Sequence, residues 1–390
     1  MKFKANFEDF KNAVSAAGKV AKRNSMEDAL LKIEAKESSV ELSTNGQGLG
    51  AIISVKADVS EKGVFIAKVS SINMLTIITC SGNISAKRQE GNPNEPLRIT
   101  YRNGMANMTL PAVSLTFNDV STVQETGIAL PLETLAKMSK DVSFAIGDEQ
   151  TTSYHMLKLD VEEDEEDEIL KIVMTSFNGR AMARRTAFAV KETYAGKYEC
   201  LLQPEYFNTA LDIFAEDENV YLYVDESRAY LKGKNATVCL RLLLETKFPE
   251  VAGLVKSSRQ TNFSITADKS ELQGALKCVQ YVTQEHKLEK FSSSVEFSVA
   301  SDCATLKNVA LSQYTEKLHV NVMGDLPKTL YFDTMLLKNA IDTYPSSKIV
   351  ISGNKEGLDN DKSPIWLLCG DNAEYMYCIA PRAKTNQQKS

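Results

Sequence analysis

Residues 328–344, KTLYFDTMLLKNAIDTY, change folding period within a few positions. Leu330 to Phe332 read as a short apolar strand, Asp333 is placed to cap a helix, and Leu337, Ala340, Ile341 and Tyr344 share one helical face. The same strand-to-helix junction occurs in GVFIAKVSSINMLTIIT at residues 63–79 and in ECLLQPEYFNTALDIF at residues 199–214. Three such junctions, spaced by about 125 to 140 residues, make an internal repeat the first organising feature of the chain.

A second helix precedes each junction. Phe7, Phe10, Val14 and Ala17 recur at helical spacing over residues 7–17. Leu132, Leu135 and Met138 mark a helix opened by Pro131, and Leu272, Leu276 and Val279 mark one opened near Asp268 or Ser270. Alternating strands close each unit: residues 97–113, residues 219–245, and residues 347–354 with 364–381. Each third therefore holds two helix-plus-strands halves. The expected fold class is α+β, with two helices on one side of antiparallel sheets in each of three similar domains. The boundaries fall at 1–125, 126–258 and 259–384, leaving a polar tail at 385–390. Three pseudo-symmetric domains in a row trace an arc, which a second copy joined head to tail closes into a ring of six.

Composition excludes more than it selects. With 390 residues, 43% of them hydrophobic, and a net charge of -6, this is an ordinary globular chain too long for one core. No stretch has the apolar length of a membrane span and the start, MKFKANFEDF, lacks a signal peptide's apolar core, so a cytoplasmic location is expected. Seven scattered cysteines show no C-x-x-C spacing and read as small buried side chains. The three histidines, His155, His286 and His319, lack metal-ligand spacing. Neither a phosphate-binding G-x-x-x-x-G-K-S/T loop nor a G-x-S-x-G elbow is present. GNKEG at residues 353–357 reads as a hairpin loop with no helix after it. Catalysis is therefore not expected, and no metal or cofactor is implied. Part of the negative charge sits in one run, EEDEEDE from Glu162 to Glu168, which lies between two strand-like segments and reads as a solvated hairpin tip.

Several short motifs, in order along the chain, carry a resemblance. They are the start MKF before an amphipathic helix, MTLPAVSLTFNDV at residues 108–120, TSFNGRAMA at 175–183, LLLETKFPEV at 242–251 and YCIAPR at 377–382. Over essentially its whole length the chain resembles the bacterial DNA polymerase III beta subunits, the sliding clamps. That resemblance implies a homodimeric ring of six domains that encircles duplex DNA without regard to sequence. Such a ring tethers the replicative polymerase and is opened by an ATP-driven loader.

The resemblance also implies sites. A cleft for short linear peptides of the polymerase III alpha subunit, clamp loader and repair proteins falls on Phe177, Gly179, Arg180, Met182, Pro249, Cys378, Ala380 and Pro381. Phosphate-facing positive charge falls on Lys11, Lys19, Lys22, Arg23, Lys68, Lys137, Lys140, Lys277, Lys338 and Lys348. Ring closure falls on Met105 and Asn107 on one side and on Tyr281 and Val282 on the other. Three positions depart from the family pattern: Ala181 takes the place of an Arg, with Arg180 one position earlier, Ala380 takes the place of a bulky Met, and Asn107 that of an apolar residue. Read without the resemblance, Asn178-Gly179 is a hairpin turn, Met182 a core residue, and Tyr281 and Val282 intradomain core. The alternative function is a ring or arc that scaffolds proteins without encircling DNA.

Overall fold

The computed structural model describes residues 1–24, 29–88, 95–123, 127–149, 154–164, 169–190, 197–285, 294–308, 314–327, 329–359, 363–369 and 374–382. Residues 165–168 of the acidic run and the tail beyond Arg382 lie outside them. Among the described residues there are eight α-helices: α1 Phe7–Arg23, α2 Val69–Ile72, α3 Leu132–Val142, α4 Pro204–Ile213, α5 Ala252–Ser257, α6 Lys269–Glu285, α7 Thr334–Thr343 and α8 Lys355–Asp359. Among the described residues the strands pair antiparallel, and no helix is long and apolar enough to cross a membrane. The fold class is therefore α+β with large antiparallel sheets.

The helices form where capping and apolar spacing agree. The Asn6 side chain accepts from the backbone N–H groups of Glu8 at 2.9 Å and Asp9 at 3.2 Å. The first turn of α1 is acidic, and its last turn carries Lys22 and Arg23. Phe7, Phe10, Val14 and Ala17 are all buried, each of the two Phe side chains contributing about 1.5–3 kcal/mol by leaving water. Asp333 caps α7 by accepting from Met335 and Leu336, and Leu337, Ala340, Ile341 and Tyr344 form its buried face. Asp268 caps α6 in the same way, through Ser270 and Glu271.

The helix expected within residues 63–79 is much shorter than its apolar content suggests. It runs only from Val69 to Ile72 and gives way to a 3₁₀ turn, Asn73–Ile77. Lys68 supplies no side-chain cap, the segment is rich in Ser, Asn, Thr and β-branched residues, and Ile77 is exposed, so neither propensity nor burial extends the helix. At GNKEG the expectation of a loop without a helix is corrected. The five-residue α8 starts at Lys355, with Asn354 accepting from Gly357 N at 3.0 Å.

The chain divides into two compact units. The first comprises the described residues of 1–136 and 189–244. Its sheet runs in the order Ala106–Leu110, Leu97–Tyr101, Asn83–Lys87, Lys2–Asn6, Leu49–Glu61, Ala236–Arg241, Arg228–Lys232, Asn219–Val224 and Ile128–Pro131. The join inside it pairs Ala236–Arg241 with the long strand Leu49–Glu61, Cys239 opposite Gly50. Helices α1 and α4 meet in this unit, where Arg23 Nε donates to Thr209 Oγ1 at 3.3 Å.

The second unit comprises residues 137–164, 169–188 and 245–390. Its strands follow the order Leu157–Asp164, Ile169–Phe177, Ala181–Val190, Tyr375–Ile379, Ile365–Cys369, Lys348–Gly353, Phe263–Asp268, Thr315–Gly324, Cys303–Asn308, Ser294–Ala300 and Leu330–Asp333. Leu157–Asp164 and Ile169–Phe177 form the expected hairpin, bringing Glu162 opposite Lys171. The join here pairs Tyr375–Ile379 with Ala181–Val190, Cys378 opposite Met182. Helices α6 and α7 lie side by side, bridged by Gln273 Nε2 to Asp342 Oδ1 at 2.8 Å.

Candidate functional site

In the second unit, the strand Ile169–Phe177 ends in a tight turn that Asn178 closes twice. Its N–H donates to the Ala181 carbonyl at 3.1 Å, while its Oδ1 accepts from Arg180 N at 3.0 Å and Ala181 N at 2.8 Å. Gly179 has φ +83°, a left-handed conformation that a side chain would strain. The turn leaves Gly179 and Arg180 exposed and sends the next strand inward, so that Met182 is fully buried.

Met182 sits in an apolar cluster with Trp366, Met376 and Cys378. Phe177, Val251, Leu254, Val255 and Leu368 pack against it while remaining partly exposed. Three of the sequence-derived cleft residues, Phe177, Met182 and Cys378, are thus brought into one cluster. Arg180 and Ala380 adjoin it through the Ala380 N–H, which donates to the Arg180 carbonyl at 2.8 Å. Pro249 and Pro381 are half-buried. Pro249 leads into α5, whose Leu254 and Val255 furnish the apolar wall. Burial pushes the Cys378 thiol up to about 12, so it serves as an apolar side chain, not a nucleophile.

Sequence reasoning missed Trp366, Leu254 and Val255. Trp366 is the sole Trp and sits in the alternating run PIWLLC, opposite Cys378 in the ladder. That alternation was a usable signal; the six-residue α5 offered no helical period to read.

Beside the cluster, Arg185 is held by several groups at once. Its guanidinium lies over the Tyr375 ring, its Nη1 reaches the carbonyls of Thr186 and Glu374, and its Nε is 3.6 Å from Asp141 Oδ2. Desolvation raises the Asp141 pKa in spite of the attraction of Arg185, Lys137 and Lys140.

The ten cationic candidates divide by their surroundings. Lys19, Lys22, Arg23, Lys137, Lys140, Lys277 and Lys348 are exposed, whereas Lys11, Lys68 and Lys338 are half-buried. Three carry local counter-charges: Lys11 with Glu8 at 3.3 Å, Lys338 with Asp342 at 2.7 Å and Lys348 with Asp268 at 3.3 Å. Among the described residues, the cations with no such ion pair include the adjacent Lys22 and Arg23 in the last turn of α1.

Of the ring-closure candidates, Met105 is 88% exposed, just after the left-handed residues Arg102, Asn103 and Gly104. Asn107 is exposed on Ala106–Leu110, the end strand of its sheet. Tyr281 is 63% exposed on α6, which removes the core reading of that residue, and Val282 is half-buried beside it.

No family model and no curated protein matches the sequence. Solved structures do match the fold. The chain is similar to DNA polymerase III, beta subunit, from Thermotoga maritima, at 16% identity and a TM-score of 0.79, covering 98% of this chain and 100% of that one. It is similar to the DNA polymerase sliding clamp from Bacillus subtilis, at 14% identity and 0.82, covering 98% and 99%. The Caulobacter crescentus sliding clamp gives 17% identity and 0.81, covering 98% and 100%. The chain has the fold of the DNA polymerase III beta subunits, the DNA polymerase sliding clamps.

Proposed function

We propose that this protein is a DNA sliding clamp: three similar domains per chain, two chains per ring, encircling duplex DNA and tethering a replicative polymerase. The observation that carries this reading is the whole-length likeness to sliding-clamp structures, which leaves almost none of the chain for another architecture. The protein itself acts as a processivity factor in the cytoplasm, without catalysis, metal or cofactor. Its partners are duplex DNA, the polymerase III alpha subunit and the clamp loader.

The internal joins support ring closure by a rule. In the first unit the last strand of the second third, Ala236–Arg241, pairs with Leu49–Glu61 of the first. In the second unit the last strand of the final third, Tyr375–Ile379, pairs with Ala181–Val190 of the second. The equivalent last strand of the first third, Ala106–Leu110, ends its sheet. A sheet edge left with unpaired backbone groups is a template for another chain. By the same rule its partner is Thr315–Gly324 of a second copy, with Met105, Asn107, Tyr281 and Val282 at the contact.

Lys and Arg on the helices contact phosphates independently of sequence, which suits sliding. Enclosure, not affinity, retains the ring, so a net charge of -6 is no obstacle. The Met182 cluster and α5 supply the apolar trough for a partner peptide's hydrophobic anchor.

Loading onto nicked circular duplex, followed by linearisation, tests the reading. A clamp stays with the circle through gel filtration and is lost after cutting. Retention indifferent to DNA ends leaves the scaffold, and no retention with loader and ATP present refutes the clamp.

A further inference from the structure

The two joins are built alike, and the one in the first unit holds a cavity that the clamp reading does not use. In the second unit, Trp366, Cys378 and Met182 are successive neighbours across three strands. In the first unit, Tyr230, Cys239 and Gly50 occupy the same three places. Tyr230 and Cys239 form a small buried cluster with Val120, as Trp366 and Cys378 do with Met182. Glycine replaces methionine at the third place. A Cβ at Gly50 would stand 2.7 Å from Asn45 Oδ1 and 3.1 Å from Val120 Cγ1, so the neighbours have closed in on the missing side chain.

What remains in front of this cluster is a cavity of about 470 Å³, lined among others by Gly48, Arg228, Cys239, Arg241 and Leu244. That volume falls within the ligand-site range of roughly 300–1,000 Å³. Arg228 and Arg241 face each other directly in the ladder, with Cβ atoms about 4.5–5.5 Å apart, a placement in which like charges are destabilising. No ion pair joins either guanidinium to a carboxylate among the described residues. Asp119, which also lines the cavity, is bound by Lys32 Nζ at 2.7 Å. Asp225 accepts from Ser227 N, Arg228 N and the Tyr230 hydroxyl, and the Arg228 side chain also hydrogen-bonds Tyr230.

We propose that this cavity is a second docking site, which takes an acidic, extended peptide segment of a protein partner. Two guanidiniums lining one cavity match adjacent carboxylates, each able to accept a bidentate pair of hydrogen bonds. Leu244, 63% exposed at the rim, adds an apolar wall that a peptide side chain covers and a sugar-phosphate backbone does not. The site differs from the Met182 cleft in being charge-selective. It depends on neither ring closure nor DNA binding, so failure of the clamp reading leaves it standing.

The test uses the full-length protein and the fluorescein-labelled hexapeptide Glu-Asp-Ala-Glu-Asp-Ala, which lacks the Leu or Phe anchor that the Met182 cleft takes, read by anisotropy. Binding should weaken at least ten-fold in R228E/R241E and less in R228K/R241K, and should be unchanged in Leu254→Asp, which alters the other join. Both arginines are exposed, and a thermal melt checks the fold of each variant. If the reversal variant does not fold, the lysine variant still reads the loss of bidentate contacts. Absence of binding to the unaltered protein, or equal affinity in R228E/R241E, overturns the proposal. So does a single-stranded oligonucleotide that binds more tightly than the peptide and suffers the same ten-fold loss, which assigns the cavity to nucleic acid.

Discussion

The guanidinium carbon of Arg185 lies 3.7 Å from the centre of the Tyr375 ring, and the two residues oppose each other across the join of Ala181–Val190 with Tyr375–Ile379. The contact fastens the same ladder that sets Met182 beside Cys378, so its strength governs the register on which the apolar cluster depends.

Arg185→Ala should therefore destabilise the second unit by roughly 3–5 kcal/mol, because it leaves Asp141 buried without its counter-charge. Adding Asp141→Ala should recover part of that loss. Urea unfolding of the two single variants and the double variant measures it. A double variant as unstable as the sum of the singles would show that the pair is not coupled.

Asp141 and Asp268 should respond oppositely to pH. Hydrogen bonds from the Ser270 side chain and the Glu271 N–H lower the Asp268 pKa to about 2, below its unfolded value near 3.8. Its contribution is thus complete above the unfolded value and is lost as pH falls toward 2. Asp141, raised by burial, stabilises most when protonated, and its contribution is lost as pH rises through the folded value. Asp268→Asn keeps the cap but removes the titration, so melting temperatures between pH 4 and 2 should fall less steeply than in the unaltered protein. Parallel pH curves would exclude the cap as the cause.

For the Met182 cleft, a charge at Met182 itself is a poor probe because that side chain is fully buried. Leu254 on α5 is half-buried at the edge of the cluster, so Leu254→Asp tests the trough with less risk to the fold. A polymerase-derived peptide ending in a Leu or Phe anchor should bind at least ten-fold more weakly, about 1.4 kcal/mol. Titration calorimetry alongside a melt decides it, and unchanged affinity removes α5 from the cleft.

Much of this was legible in the chain. Asp268 and Asp333 announce helix starts, and the apolar faces after them are buried as their spacing requires. The α+β class followed from those helices and the alternating strands between them. Less legible was whatever depends on pairing distant segments. Nothing local tells that Cys239 faces Gly50 or that Cys378 faces Met182, so Trp366 and Leu254 went unnoticed. Charge pairing was no more legible: Lys11, Lys338 and Lys348 each meet a carboxylate one helical turn or one strand away.

That distinction orders the cationic candidates. Lys22→Glu with Arg23→Glu should weaken retention on circular duplex more than Lys338→Glu does, since the former pair has no carboxylate partner among the described residues and Lys338 is already held by Asp342. The salt dependence of retention should flatten by about two counterions for the former pair. An effect of Lys338→Glu about half that of the double variant, in proportion to the charge each changes, would mean that net charge, not position on α1, matters.

Ring closure makes the most demanding claim, because it extends a rule seen twice within one chain to a contact between chains. Met105 and Tyr281 are both largely exposed, so replacing either with Asp should leave the melt nearly unchanged while weakening a contact that buries them. Light scattering over a dilution series should give twice 43.1 kDa for the unaltered protein. Each variant should shift the midpoint of dissociation at least ten-fold, or about 1.4 kcal/mol. If the contact is between the strands Ala106–Leu110 and Thr315–Gly324, the two variants combined should lose no less than either alone. A dimer that resists both substitutions would place the interface elsewhere. A monomer at every concentration would mean that the free edge of Ala106–Leu110 is protected without a partner, and the ring would then need its loader and DNA to assemble.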